Sequence, residues 1–384
     1  MYSMKSMSEL YCVNLERGLR INTNGECTSC CLQPNSYKNE LSETLNIRKH
    51  TFKEIMSSHS VKQIKNNLQQ GIRDINCKQC WDIEDAGLES KRITDNEYRN
   101  EGGLLLDLCM GTTCNIKCRT CGPESSAQWN KEFWDINKAY GDMVEYKDYK
   151  NYFKKYNDAF NDDGLVWNEL EKHREDIKFI DMYGGEPMMM KKQWKFLEQL
   201  IQEDLAKNIS LHYNTNGTIW DNEKYNILKE FKHVSIDFSI DGVEERYEFM
   251  RHPAKWEEVI RNMEKIKSIE KFNCQIAHTV STLNVWYVNE IFAWFQDWDI
   301  YLKMVHGPVE YNISNIPRDI KNKITEHIGI KEKYKPVLDF MNSKDTDYDF
   351  QQFIDKTKQH DNYRGENYNK IFPEFSKVLK ESGY

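Results

Sequence analysis

The 384-residue chain carries a formal net charge of −8, with 39% hydrophobic and 30% charged residues, which excludes a disordered polymer and argues against a protein that coats phosphate backbones. Its length exceeds one small core and fits one large α/β barrel with an appendage, or two to three ordinary domains. No stretch approaches 18 consecutive apolar residues, so no membrane span is expected, and the opening "MYSMKSMSELYC" lacks the apolar core of a signal peptide.

A cytoplasmic location follows as the expectation, and there thiols stay reduced. The eleven cysteines, at 12, 27, 30, 31, 77, 80, 109, 114, 118, 121 and 274, then read as metal ligands more readily than as disulfides, because they fall into an N-terminal and a central group. Residues 1–100 are polar, rich in Asn, Ser and Lys, and broken by "NTNGE" and "LQPNS". Their short apolar stretches suit a small domain tied together by metal.

From about 101 the pattern changes to apolar runs alternating with amphipathic segments. The runs are 103–109, 177–183, 209–214, 233–240, 273–281 and 300–305, and helical spacing is clearest over 191–207 and 256–271. Strand–helix alternation implies right-handed βαβ units and a parallel sheet, here an α/β fold with a partial (β/α)6 barrel. The segment 124–176 is long for one crossover and reads as helices with a solvated insertion, either a flap or surface decoration. Residues 318–384 read as a helical, polar C-terminal extension. "GGEP", "TNG" and "DG" each follow a strand, as does "TTCNIKCRTCG" at 112–122. Active sites in such folds gather at that C-terminal edge.

The cysteine loop holds three thiols where a tetrahedral ion or a cubane cluster wants four ligands. Either a distant residue completes the set, or one coordination position stays open for chemistry. The spacing Cys114-x3-Cys118-x2-Cys121 resembles the signature of the radical SAM superfamily. The resemblance implies a [4Fe–4S] cluster whose fourth iron is chelated by S-adenosylmethionine. An electron from the cluster then cleaves the sulfonium to methionine and a 5′-deoxyadenosyl radical, which abstracts hydrogen from a substrate. It also implies cofactor-binding roles for Gly184, Gly185 and Glu186 of "GGEP", for Asn216 of "TNG", and for Ser239 and Asp241 of "SIDG". Arg251 matches an arginine on the SAM carboxylate, and Asn284 a polar position near adenosine. One departure is Thr120, where relatives place an aromatic or large apolar residue near adenine.

Cys12-x12-Gly25-x4-Cys30 resembles the opening of the SPASM/twitch auxiliary-cluster domain, and "CKQCW" supplies Cys77 and Cys80. The resemblance implies one auxiliary [4Fe–4S] cluster on Cys12, Cys30, Cys77 and Cys80, in a twitch-like domain that precedes the barrel. Cys27 or Cys31 could replace Cys30, and structural zinc is the alternative occupant. The expected domains are 1–100 for the auxiliary-cluster domain, 101–317 for the barrel and 318–384 for the extension. His212, His278, Tyr183 and Cys274 are further candidates, with core packing as their ordinary reading.

Three functions are open at this stage. One is radical modification of a peptide or protein side chain, by crosslink, epimerisation or dehydrogenation. A second is the same chemistry on a small polar molecule such as a sugar, aminocyclitol or nucleotide. The third is a zinc-stabilised, non-enzymatic binding module. The first two imply a reductant such as flavodoxin or ferredoxin, and neither a nucleic-acid nor a membrane partner.

Overall fold

The computed structural model describes residues 10–85, 87, 89–99, 102–139, 152–153, 159–161, 164–344 and 348–384. Much of the inserted segment expected over 124–176 lies outside the described residues. The chain packs as two compact units, one of Met1–Thr113, Tyr156–Tyr213 and Asn222–Val234, the other of Cys114–Lys155, Asn214–Asp221 and Ser235–Tyr384. Among the described residues no helix is long and apolar enough to cross a membrane.

The first unit holds β1 (Gly18–Ile21), β2 (Cys27–Thr28), β3 (Leu104–Cys109), β4 (Ile177–Tyr183) and most of β5 (Ser210–Thr215). Their order is β2-β1-β3-β4-β5. β1 and β2 are antiparallel, whereas β1–β3, β3–β4 and β4–β5 are parallel. The second unit holds most of β6 (His233–Ser239), with β7 (Phe272–Val280) and β8 (Asp299–Met304). They lie in that order, and β7 and β8 run parallel.

β3 to β8 coincide with the six apolar runs. β1 and β2 form the small hairpin that the resemblance implies around Gly25, whose φ is +86°; that β1 also joins the parallel sheet was not foreseen, because "GLRI" is too short and too mixed to show a period. β1 is a strand because its backbone pairs with β3 from Gly18 opposite Leu105 to Ile21 opposite Leu108. The N-terminal hundred residues therefore extend the parallel sheet as well as carrying cysteines.

Side-chain alternation along the strands sets the two faces of the first sheet. Leu106, Leu108, Ile180, Met182, Leu211 and Tyr213 are buried on one face. Tyr213 Oη donates to Gln193 Oε1 at 3.1 Å, so the helix Lys191–Gln202 lies on that side. The opposite face carries Asp107, Asp181 and His212. In the second unit the helix Trp256–Lys267 buries Val259, Met263 and Ile266 at helical spacing. Glu257 and Glu258 open it and Lys265 and Lys267 close it, each complementing the helix dipole.

The tail beyond 318 is helical, but it is not a polar appendage. Ile320, Ile324, Val337, Met341, Phe353, Phe372 and Phe375 share one core with Val280, Leu283, Val285 and Tyr311. Its apolar residues are diluted by Lys, Asp and Glu in the sequence, yet they fall on the inward stripes of successive short helices.

Candidate functional site

The loop after β3 is shaped by its own backbone and by fixed anchors. Cys121 N–H donates to Cys118 O at 3.0 Å. Ser126 Oγ donates to Ile116 O at 2.7 Å, and Trp129 Nε1 to Cys118 O at 3.1 Å. The Cys121 thiol donates to Cys118, which holds Cys118 below the usual thiol range and drives Cys121 well above it. Burial opposes the first shift and adds to the second. Arg251 Nη1 lies 3.7 Å from Cys118 Sγ, and Asn216 Nδ2 lies 3.9 Å from Cys114 Sγ. Sulfur acceptors ringed by N–H donors suit thiolates, whose negative charge those donors stabilise.

The same network reaches the other expected positions of this unit. Arg251 Nη2 pairs with Asp241 Oδ2 at 2.7 Å, both residues buried. Its Nε is buried with no hydrogen-bond partner among the described residues, a donor left unspent. Asn284 spends its amide on the backbone, donating to Asp241 O at 2.8 Å and Thr279 O at 2.9 Å and accepting from Ser281 N at 2.7 Å. It holds the strand-end loops in place. Ser239 closes β6 and is partly exposed. Thus Cys114, Cys118, Asn216, Asp241, Arg251 and Asn284 belong to one connected cluster.

In the first unit "GGEP" caps β4 against the segment that leads into the cysteine loop. Gly184 and Gly185 have φ of +84° and +58°. A Cβ on Gly185 would stand 2.5 Å from Thr113 O, so only glycine admits this approach. Glu186 N–H donates to Thr113 O at 2.8 Å, and its carboxylate accepts from Met188 N at 3.1 Å.

What the sequence did not show is how the cysteine loop is clamped. Arg119, between Cys118 and Thr120, is fully buried over the Phe249 ring, 3.9 Å from its centroid. Its Nη2 contacts Asp361 Oδ1 at 2.6 Å and Glu366 Oε2 at 2.5 Å. Lys117 Nζ pairs with Glu132 at 2.6 Å, and Arg364 Nη2 donates to Lys117 O at 3.1 Å. Glu132 also receives Arg364 Nε at 2.8 Å and faces His360 Nδ1 at 2.9 Å. The only local signal was charge at two positions inside a cysteine motif. Partners more than two hundred residues away leave no periodic trace.

The N-terminal cysteines converge. Cys12, Cys30, Cys77 and Cys80 line one small cavity together with Asn14, Lys91 and Arg92. Cys77 ends a 3-10 turn and Cys80 lies one turn on, in the helix Lys78–Asp85, a spacing that puts both on one side. Burial pushes Cys12 up to about 12, with Cys30 and Cys80 adding repulsion. Burial likewise raises Cys30, Cys77 and Cys80. Cys27 is buried with its Sγ donating to Gly25 O at 3.5 Å, and Cys31 is exposed; neither lines the cavity. Among the described residues no three Cys, His, Asp or Glu side chains already stand at metal-ligand spacing.

Replacing any one of Cys12, Cys30, Cys77 or Cys80 by serine is expected to remove about four iron atoms per chain, while Cys27→Ser and Cys31→Ser leave iron content unchanged. Iron and acid-labile sulfide assays after anaerobic reconstitution read this directly. Iron loss in Cys31→Ser with retention in Cys30→Ser would reassign the ligand.

Of the remaining candidates, His278 is a core residue, its Nδ1 2.7 Å from Ile240 O and burial keeping it neutral. Burial pushes Cys274 up to about 12. Tyr183 and His212 stand in a charged row described below.

The chain matches the Radical SAM superfamily over residues 108–295 and the SPASM iron–sulfur cluster-binding domain over residues 12–81. No curated protein matches it in sequence. Similar solved structures include "Native anSMEcpe with bound AdoMet", at 19% identity and TM-score 0.39, with 62% of this chain and 60% of that chain covered. Another is "Crystal structure of Streptococcus suis SuiB", at 14% identity and TM-score 0.36, with 86% and 69% covered. The chain thus spans about 60% of the first of these. With the three-cysteine loop inside the first match and the four-cysteine cavity inside the second, the chain belongs to the radical SAM superfamily, in the group that carries a SPASM/twitch iron–sulfur domain.

Proposed function

We propose that the protein is a radical SAM enzyme that modifies a peptide or protein side chain, with Cys114, Cys118 and Cys121 holding a [4Fe–4S] cluster. When bound, that cluster supplies the electron that cleaves S-adenosylmethionine to methionine and a 5′-deoxyadenosyl radical. The observation that carries the reading is the network joining Cys114 and Cys118 to Asn216, Arg251, Asp241 and Asn284. Arg251 places N–H donors toward sulfur and retains a buried Nε, unpartnered among the described residues, for an anionic group, the role expected toward the SAM carboxylate. Gly184 and Gly185 keep the backbone open for a close polar approach, and Glu186 fixes that turn. Cys12, Cys30, Cys77 and Cys80 are the residues proposed to hold one auxiliary cluster, because they alone of the N-terminal cysteines line one cavity.

A second reading, the same chemistry on a small polar molecule, is supported by the charged row across β1, β3, β4 and β5. The test common to both is anaerobic reconstitution with iron and sulfide, then dithionite and S-adenosylmethionine, with 5′-deoxyadenosine measured chromatographically. Its formation is expected. Stoichiometric zinc binding without any 5′-deoxyadenosine would restore the non-enzymatic module.

A further inference from the structure

Four ionisable side chains stand in register across four adjacent parallel strands of the first unit. Arg20 pairs with Asp107, Asp107 with Asp181, and Asp181 with His212 as backbone partners. All four are on the sheet face opposite the helix Lys191–Gln202. Neighbouring strands lie roughly 4.8 Å apart, so the row sets two carboxylates side by side between two nitrogen bases. Buried strands of a parallel sheet are ordinarily apolar on both faces. A buried row of charges costs stability unless it is compensated, and such rows are retained where they bind something.

The compensation present is one-sided. Tyr183 Oη donates to Asp107 Oδ1 at 2.5 Å and receives Arg20 Nε at 2.7 Å; Arg20 Nε is 3.6 Å from the same Oδ1. His212 Nδ1 is 2.8 Å from Asp181 Oδ1. Both carboxylates thus use Oδ1, and among the described residues neither Oδ2 accepts a hydrogen bond. Asp107 and Asp181 are 6% and 8% exposed, and neither Oδ2 is among the fully buried unpartnered atoms, so both keep some contact with solvent and have unspent capacity as acceptors. The nearby cations are otherwise engaged, Lys91 and Arg99 both pairing with Asp95 at 3.0 and 3.2 Å.

Burial, then the charge of Asp181, pushes Asp107 up to about 6, even though Arg20, Lys91 and the Tyr183 hydroxyl all act to lower it. Burial also acts to raise Asp181, but the hydrogen bond and charge of His212 hold it below the usual carboxylate range. The groups facing the pair are the cations Arg20, Lys91 and Arg99 together with His212 and the Tyr183 hydroxyl. The row also adjoins the four-cysteine cavity, because Lys91 lines that cavity while its charge acts on Asp107 and Asp181.

We propose that Asp107 and Asp181 form the receptor for a primary ammonium group of the substrate, carried either by a lysyl side chain or by a small amine such as an amino sugar. An ammonium offers three donors on a compact charge. It is sized to bridge two carboxylate oxygens on neighbouring strands, using the Oδ2 atoms that Arg20, Tyr183 and His212 leave unspent. Arg20, Tyr183 and His212 are positioning residues that orient the two Oδ1 atoms and turn Oδ2 toward the ligand. The inference rests on the enzymatic reading above and names the chemistry its substrate brings.

The experiment uses the reconstituted full chain with S-adenosylmethionine and two matched probe pairs, followed by calorimetry and saturation-transfer NMR. Nα-acetyl-lysine amide is set against Nα-acetyl-norleucine amide, and glucosamine against glucose. In at least one pair the ammonium member should bind about thirtyfold tighter than its neutral partner, the scale of a buried charge contact. Which pair responds identifies the source of the amine. Asp107→Asn and Asp181→Asn should each erase the preference while leaving 5′-deoxyadenosine formation from S-adenosylmethionine alone measurable. Equal binding of ammonium and neutral members by the unaltered protein, binding by neither pair, or a preference that survives in the double Asn variant would each overturn the assignment. Selectivity in the unaltered protein needs no variant to fold. Formation of 5′-deoxyadenosine without ammonium selectivity sinks only the receptor, whereas selective binding without 5′-deoxyadenosine sinks only the radical reading.

Discussion

Alanine at Cys114, Cys118 or Cys121 is expected to stop 5′-deoxyadenosine formation altogether, with the loss of about four iron atoms per chain. The remaining iron should sit in the N-terminal cavity. If Cys114, Cys118 and Cys121 hold a cubane with only three thiolates, as proposed, two cannot retain it, so the effect is all or none. The same loop offers no substitute sulfur, because Cys109 lies back in β3 beside Thr23, its Sγ 3.4 Å from Thr23 Oγ1. A variant such as Arg251→Lys should behave differently. It keeps the charge but gives up the planar fork that contacts Asp241 and Cys118 together. Iron should be retained, with weaker S-adenosylmethionine binding and a shifted cluster potential. Electron paramagnetic resonance and redox titration of both variants distinguish a lost ligand from a lost neighbour. If each cysteine variant keeps full iron and full activity, the loop is not the cluster site.

The second large effect lies in the tail. Arg119→Met removes a fully buried guanidinium and leaves Asp361 and Glu366 facing each other, which should cost about 3–5 kcal/mol of stability by denaturant unfolding. The change should also speed iron loss to a chelator, because Arg119 lies inside the cysteine motif. Acid acts on the same clamp. Burial holds His360 down to about 4, although its bond to Glu132 acts in the opposite direction. The unfolded chain, with His near 6.5, then binds more protons than the fold, so stability falls as pH drops from about 6.5 toward 4. The expected loss is on the order of 3 kcal/mol. Glu132 itself is held near 2; burial opposes this, but the bond to His360, the Arg364 charge and Lys117 outweigh it. Its stabilisation is complete above the ordinary carboxylate value and is lost as pH falls through about 2, which continues the same trend at lower pH. Melting temperatures across pH 4–7 should therefore decline on acidification, and His360→Gln should flatten the upper part of the curve. A profile unchanged by that substitution would remove His360 from the account.

These two predictions stand on different kinds of evidence. Cysteine spacing, "GGEP", "TNG" and "SIDG" were readable because ligand chemistry and turn chemistry are local. A short loop must present its thiols within a few residues, and glycine is favoured where the backbone turns to positive φ, as at Gly184 and Gly185. The six strands were readable because apolar runs repeat between amphipathic helices. The pairing of β1 with β3 was not, since a four-residue strand takes its place in a sheet from the partner it pairs with. Nor was the role of the tail, whose apolar stripes are short and broken by charge.

The sequence alone determined the fold class, the superfamily and six candidate thiols, leaving Cys30 open against Cys27 and Cys31, because local spacing and local turns carry those signals. Only the tertiary structure decided that Cys12, Cys30, Cys77 and Cys80 share a cavity while Cys27 and Cys31 do not. It also decided that Arg119 answers to Asp361 and Glu366, and that Arg20, Asp107, Asp181 and His212 form one row. Strand register and long-range charge pairing bring together groups that are far apart in sequence, and the energy of a buried charge depends on those neighbours rather than on its own segment.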